Sequence, residues 1–375
     1  MSFFFYNVYK IIKMDKKFDL KDIAIVPIIE SDISSRKECE TETDFPRPGG
    51  LKMMLPLIAS PMDTVVCEKN YSAFIDRGII PCLPRGLNVK HLVGSPYYFQ
   101  AFGLCEIETQ LENYKKQIHN KLFELSDETK DEFYYFPNVL IDIANGHMAK
   151  LISIIIDIKK YWPNIKLMVG NVANPLTYKN LAMAGADYVR VSIGSGCGCT
   201  TSSNVAINYP LGSLISECYH IKRESELEAK IVADGGMQGY DDIIKALALG
   251  ADQIMIGSLF NKAMQSAGYN YLWGIRIKSY SIAKKLWKWG FPIKKKYRGM
   301  STKAVQRSWG KAKLITAEGI TKYQKVEYNL SQWVENFQDY LRSNMSYCGV
   351  RNLQEFIGEV EYIFITENAR KRFEK

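Results

Sequence analysis

The stretch Ile193-Gly194-Ser195-Gly196-Cys197-Gly198-Cys199-Thr200-Thr201 holds the densest chemistry in the chain. Glycines and a serine lead into Cys199 and two threonines follow it. That setting exposes a thiol in a loop where backbone amides favour its thiolate. A thiolate attacks an electrophilic ring carbon near neutral pH and departs again readily. Cys197 is a rival nucleophile, and the two thiols can also be read as a redox or metal dyad. The inventory speaks against a metal. The eight cysteines show no C-x-x-C spacing, and only His91, His119, His147 and His220 accompany them. Most of the other cysteines read as small buried hydrophobes.

Further polar or glycine-rich loops recur at Ser60-Pro61-Met62-Asp63, Asp142-Ile143-Ala144-Asn145-Gly146, Gly170-Asn171-Val172, Asp234-Gly235-Gly236 and Gly257-Ser258. The elements that position them are short apolar runs: Leu55–Ser60, Gly78–Leu83, Ala101–Ile107, Asn138–Ile143, Lys166–Asn171, Asp187–Ser192, Lys230–Asp234 and Asp252–Gly257. Runs without alternation suit strands buried on both faces of a parallel sheet. Met148–Tyr161, Pro175–Ala184 and Tyr240–Leu249 read as amphipathic helices between them. Eight such units predict an α/β fold, a (β/α)8 TIM barrel, with a doubly wound open sheet as the alternative. In a barrel these loops share the C-terminal rim, and glycine turns after the last strands bind phosphate through backbone N–H groups.

Of 375 residues, 49 are basic and 40 acidic, a formal charge of +9. The excess is local. Between Asp252 and Glu318 there are 14 Lys/Arg and no acid, so the rest of the chain carries 35 basic against 40 acidic residues. A uniformly basic protein would point to nucleic acid or an anionic membrane; one basic segment points to a local anion site. The basic, aromatic stretch from Asn261 to Arg298 is expected to be a lid after the eighth strand, a flap of about 261–317, with Lys294, Lys295 and Lys296 steering anions. Residues 1–13 read as an extension too short and polar to span a bilayer, ahead of a single catalytic domain over 14–375. With no secretory signal evident, the thiols are expected to be reduced and the compartment cytoplasmic.

From Met14 to Lys375 the chain resembles the IMP dehydrogenase/GMP reductase family. The resemblance rests on Ala59-Ser60-Pro61-Met62-Asp63-Thr64-Val65, the cysteine loop, Asp234-Gly235-Gly236, Gly257-Ser258 and Tyr297-Arg298-Gly299-Met300. It implies that Cys199, not Cys197, is the nucleophile, with Thr201 and Glu318 relaying a proton. It implies a purine nucleotide, GMP or IMP, held by Ser60, Met62, Asp234, Gly235, Gly236, Gly257, Ser258, Tyr297, Gly299, Met300, Ser301 and Gly319. A dinucleotide, NADPH for a reductase or NAD for a dehydrogenase, would meet Ser35, Arg36, Arg85, Asp142, Ile143, Ala144, Asn145, Ile193, Gly194, Ser343, Asn344, Met345 and Ser346. Carbonyls of Gly194, Gly196 and Cys199 match a loop that holds potassium, and the family implies a homotetramer acting on small molecules.

Four features lean toward reductive deamination of GMP to IMP and ammonia. Asp142-Ile143-Ala144-Asn145-Gly146-His147 and Gly299-Met300-Ser301-Thr302 resemble reductase forms. No Arg-Tyr pair of the dehydrogenase's hydrolytic flap occurs. The span after Arg85 is too short for a regulatory CBS pair. Oxidation of IMP by NAD is the alternative, and a non-catalytic nucleotide-binding relative the third. The chain also departs from the pattern: Cys197 stands for a serine, Ser195 for a proline, Ser202 for a basic residue, Pro84-Arg85 for a His-Lys-like pair and Leu211 for a glutamine.

Overall fold

The computed structural model describes residues 16–49, 53–86, 96–121, 138–308 and 316–373; the expected extension over 1–13 lies outside them. Eight parallel strands close into a barrel: β1 (Leu57–Ala59), β2 (Ile80–Leu83), β3 (Phe99–Phe102), β4 (Asn138–Asp142), β5 (Leu167–Val172), β6 (Tyr188–Val191), β7 (Lys230–Asp234) and β8 (Gln253–Ile256). Closure comes from β8 lying beside β1, with Leu57 opposite Ile254 and Ala59 opposite Ile256. The expected (β/α)8 barrel is therefore the fold, and the open sheet is not.

The pleat decides what each strand does with its residues, since neighbours point to opposite faces. Ile58, Leu140, Met168, Tyr188 and Val232 fill the barrel interior. Leu57, Val139, Ile141, Val169, Val189 and Ile231 pack outward beneath the helices. The helix Ala149–Tyr161 buries Leu151, Ile154, Ile155 and Ile158, one face at helical spacing. The helix Leu330–Tyr347 buries Trp333, Phe337, Leu341 and Met345 at four-residue intervals. Asn174 and Asn329 accept backbone N–H groups at two of the helix starts.

The third strand lies earlier than the run Ala101–Ile107 suggests. It occupies Phe99–Phe102, and the helix Leu104–Lys121 takes the rest. Ile107 and Leu111 are four residues apart and both buried, which is helical spacing rather than strand spacing.

After β8 the sequence shows no clear period, yet the chain folds there into a four-stranded antiparallel sheet. Its strands β9 (Asn270–Leu272), β10 (Ile275–Ile277), β11 (Lys294–Arg298) and β12 (Thr321–Lys325) run in the order β10-β9-β11-β12. Trp273 and Gly274, both at positive φ, make the two-residue hairpin turn between β9 and β10. The helix Tyr280–Lys288 covers a separate small core of Met264, Ala283, Ile293 and Val326. Among the described residues no helix is long and apolar enough to cross a membrane.

The three consecutive lysines expected to steer anions together do not share a face. Alternation along β11 leaves Lys294 exposed and Lys296 half-buried, but buries Lys295 completely. Its Nζ donates to the Ser266 carbonyl, and burial pushes its pKa down to about 7, with the nearby Cys67 opposing the fall. An unfolded lysine titrates near 10.5, so the unfolded chain binds the extra proton between about pH 7 and 10.5. Stability should therefore fall as pH drops through that window. Lys295→Met should raise the melting temperature at pH 7 and flatten that slope; an unaltered slope in thermal scans would refute the assignment.

Candidate active site

The rim of the barrel opens onto a cleft of about 510 Å³. At its centre lies an ion triad that the pleat dictates. Asp142, Arg190 and Asp234 each stand two residues beyond an interior residue (Leu140, Tyr188 and Val232), so all three point inward at the barrel mouth. Arg190 Nη1 donates to Asp142 Oδ1 at 2.7 Å and Nη2 to Asp234 Oδ2 at 2.7 Å. Burial would pull the guanidinium's pKa down, but the two carboxylates hold it above its ordinary value. Asn171 Nδ2 also donates to Asp234 Oδ2, at 2.8 Å. Every described donor thus falls on one carboxylate oxygen, and Asp234 Oδ1 is left for a ligand.

Gly170 makes room for the triad. A Cβ there would sit 2.7 Å from the Arg190 Cβ. His147 ties the loop after β4 to the one after β5: it accepts Ala173 N–H at Nε2, 3.1 Å, which leaves Nδ1 to donate to Thr177. Burial lowers the pKa of this imidazole, favouring the neutral form that bond requires.

The cysteine loop follows β6. Cys199 Sγ donates to Thr201 Oγ1 at 3.1 Å, and Thr201 Oγ1 donates to Glu318 Oε2 at 2.5 Å. The loop is held by the segment entering β12. Thr200 N–H donates to the Glu318 carbonyl at 2.9 Å, Ile320 N–H to the Gly198 carbonyl at 3.0 Å, and Cys199 bridges Gly319. Three glycines meet at this junction. A Cβ on Gly299 would lie 2.5 Å from the Gly198 oxygen and 3.2 Å from Gly319 Cα. Side chains there would part the Cys199 thiol from Thr201 and Glu318.

Glycine also shapes the far end. Gly235 and Gly236 both have φ of +84°, and a Cβ on Gly257 would meet Met62 Sδ at 2.9 Å and Tyr297 OH at 3.3 Å. Tyr297 is buried, which raises its hydroxyl's pKa, and the hydroxyl approaches Met62 Sδ at 3.6 Å. Cys197 sits exposed beside this end. Burial pushes its thiol up, but hydrogen bonds from Lys322 and Ser258 and the charge of Lys262 outweigh that and lower its pKa.

Most residues picked from the sequence meet at this cleft. Cys199, Thr201 and Glu318 line it, as do Ser60, Met62, Asp234, Gly235, Gly236, Gly257, Ser258, Tyr297, Gly299, Met300 and Ser301. So do Arg85, Asp142, Ile143, Ala144, Asn145, Ile193, Gly194 and Gly196, while Gly319 backs the cysteine loop. Six others do not line it. Ser35, Arg36, Ser343, Asn344, Met345 and Ser346 gather around the end of the helix Leu330–Tyr347, where Arg36 reaches Ser343 at 3.4 Å and Met345 is fully buried. Arg190, Gln306 and Lys322 escaped sequence reading. The one available signal was an arginine inside the otherwise apolar run Asp187–Ser192.

A family model described as the IMP dehydrogenase / GMP reductase domain matches residues 136–373. The chain belongs to this family. It is 30% identical to a GMP reductase of Bacillus licheniformis, over 94% of this chain and 97% of that one, and 29% identical to the GMP reductase of Bacillus subtilis over the same shares. It is 34% identical to an inosine-5'-monophosphate dehydrogenase of Chlorobaculum parvum, over 61% of this chain; the match spans 45% of that relative. In this member of the oxidoreductase family, the triad should be a pillar of the rim. Arg190→Met leaves two partly buried carboxylates without their cation and should destabilise the fold by about 2–4 kcal/mol, somewhat less than breaking a fully buried pair. Urea denaturation measures this, and adding Asp142→Asn and Asp234→Asn should recover part of the loss.

Proposed function

We propose that this protein is a GMP reductase, converting GMP to IMP and ammonia with NADPH as reductant. The observation that carries the reading is the unbroken chain of donors from Cys199 through Thr201 to Glu318. Each group donates to the next, so the thiol proton has a path to the carboxylate as sulfur attacks C2 of the purine. The same path run backward delivers a proton to the departing amine, which cannot leave as ammonia without one. Covalent attachment thus stores the leaving group's proton within 3.1 Å steps of the reacting sulfur. Asp234 Oδ1 accepts ribose hydroxyls, and the amides at Gly235, Gly236 and Gly257 with the Ser258 hydroxyl receive the phosphate.

The reductant fits the other arm of the cleft, lined by Arg85, Asp142, Ile143, Ala144, Asn145, Ile193 and Gly194. When bound, it supplies the hydride. A monovalent cation fits less well. The Gly194 carbonyl accepts Ser202 Oγ at 3.0 Å and the Gly196 carbonyl accepts Cys199 N–H at 2.8 Å, so two of the three expected ligands would share their oxygens with the loop's own donors.

Three points support the reductase over the dehydrogenase: the near end-to-end similarity to GMP reductases, Ser301 in the cleft beside Met300, and the missing Arg-Tyr pair. Oxidation of IMP by NAD is the second reading, favoured by the 34% identity to the Chlorobaculum parvum dehydrogenase. Assembly as a homotetramer belongs to the proposal, and light scattering tests it.

A paired assay decides between the readings. GMP with NADPH should release ammonia and IMP with NAD should give nothing; turnover of the second pair alone would reverse the assignment. Cys199→Ala should abolish turnover. Thr201→Val and Glu318→Gln should each lower kcat by about 10²–10⁴-fold, the usual worth of a positioned proton donor.

A further inference from the structure

The charged side chains lining the cleft do not favour an anion. Arg85 and Arg190 stand against Asp142, Asp234 and Glu318. Arg190 is committed to two of those carboxylates, and Arg85 is paired with Glu106 at 3.2 Å. The glycine cradle offers neutral N–H groups only. A phosphate monoester carries between one and two negative charges at neutral pH, so this lining alone leaves it poorly compensated.

Lys322 can make up the difference. It stands two residues before Gln324 on β12, so the two side chains share a face. Gln324 Nε2 donates to Ser258 Oγ at 2.8 Å, which fixes that face toward the cradle. Lys322 Nζ donates to Cys197 Sγ and lies 5.6 Å from the centre of the Tyr297 ring. Cys197, Ser258 and Tyr297 all line the end of the cleft that Gly235 and Gly257 shape. The other cation near Cys197, Lys262, is held by Glu327 at 3.1 Å.

A thiol is a weak acceptor, and a phosphate oxygen is a strong one for an ammonium group. We propose that Lys322 is a phosphate-binding residue of this site, resting on Cys197 until the phosphate monoester of a purine nucleotide draws it away. The inference rests on the nucleotide reading above and adds a residue from the sheet after β8 to it. Bound phosphate would then join the glycine cradle of the barrel to β12. The serine expected at position 197 is absent here, and the pair Cys197–Lys322 occupies that corner instead.

Calorimetry on the Cys199→Ala protein, which binds without turnover, separates the possibilities. Lys322→Met should weaken GMP and IMP by about ten- to a hundredfold, the worth of one charged hydrogen bond, and leave guanosine, which lacks the phosphate, as it was. Lys322→Arg should keep most of the affinity, and the salt dependence of GMP binding should become shallower in Lys322→Met. In turnover assays the loss should fall on KM rather than kcat. Equal losses for GMP and guanosine, or no loss for either, would overturn the lysine's role while leaving the nucleotide reading intact. A Cys199→Ala protein with Lys322 intact that binds neither GMP nor IMP would overturn both.

Discussion

Arg190, clamped between Asp142 and Asp234 inside the barrel mouth, is the constraint on which the rest of the site depends. Burying a guanidinium between two partly buried carboxylates is a poor way to stabilise a fold, since apolar residues of similar volume usually serve as well or better. What the triad secures is orientation. It fixes two carboxylates from strands β4 and β7, makes Gly170 necessary on β5, and places Asn171 against the same oxygen. The loops after those strands then leave the barrel from a rigid platform, as a site that must hold reacting groups to within fractions of an ångström requires.

The second support comes from outside the barrel. The segment entering β12 holds the cysteine loop by backbone hydrogen bonds on both sides of Cys199, and it carries Glu318 at the same time. The Cys199 thiol and the Glu318 carboxylate are more than a hundred residues apart in sequence, yet one stretch of backbone pairing sets their distance. The sheet after β8 can do this because it has its own small core and is tied to the barrel by Tyr297, which packs into the main core, and by Arg298, which pairs with Asp63. Its basic character is divided: Lys294 faces solvent, Lys295 is buried, and Lys322, from the strand beside them, reaches the cleft rim.

Much of this was legible in the amino-acid order because glycine, serine, proline and aspartate mark the ends of apolar strands. Seven of the eight runs overlap their strands closely, and Cys199 was distinguishable by its loop. The rest was hidden for physical reasons. When both faces of a strand are buried, a linear pattern does not say which residues point inward, so nothing in the run Asp187–Ser192 sets Arg190 at the centre of the site. Ala101–Ile107 joined the end of one element to the start of another because both were apolar. The Trp273-Gly274 turn is chemically unusual, which concealed a hairpin. Lys322 gave no local signal at all, since its place depends on pairing between β11 and β12. Ser35, Arg36 and Ser343–Ser346 were drawn in by resemblance, and in this chain they form a cluster of their own.

The junction of Gly198, Gly299 and Gly319 sets how this chain's sequence is free to drift. Three stretches of bare backbone cross there, with no side chain between them. Changes on the exposed face of the helix Tyr280–Lys288, at Tyr280 or Ile282, or in the hairpin at Trp273 alter surfaces that end in solvent. They leave the spacing of sulfur, hydroxyl and carboxylate as it was. A single methyl group at the crossing has no such latitude, because the backbone it would push against is what holds the thiol in line. Variation in this chain is thus cheap at the periphery and confined at one point by the thickness of the peptide itself.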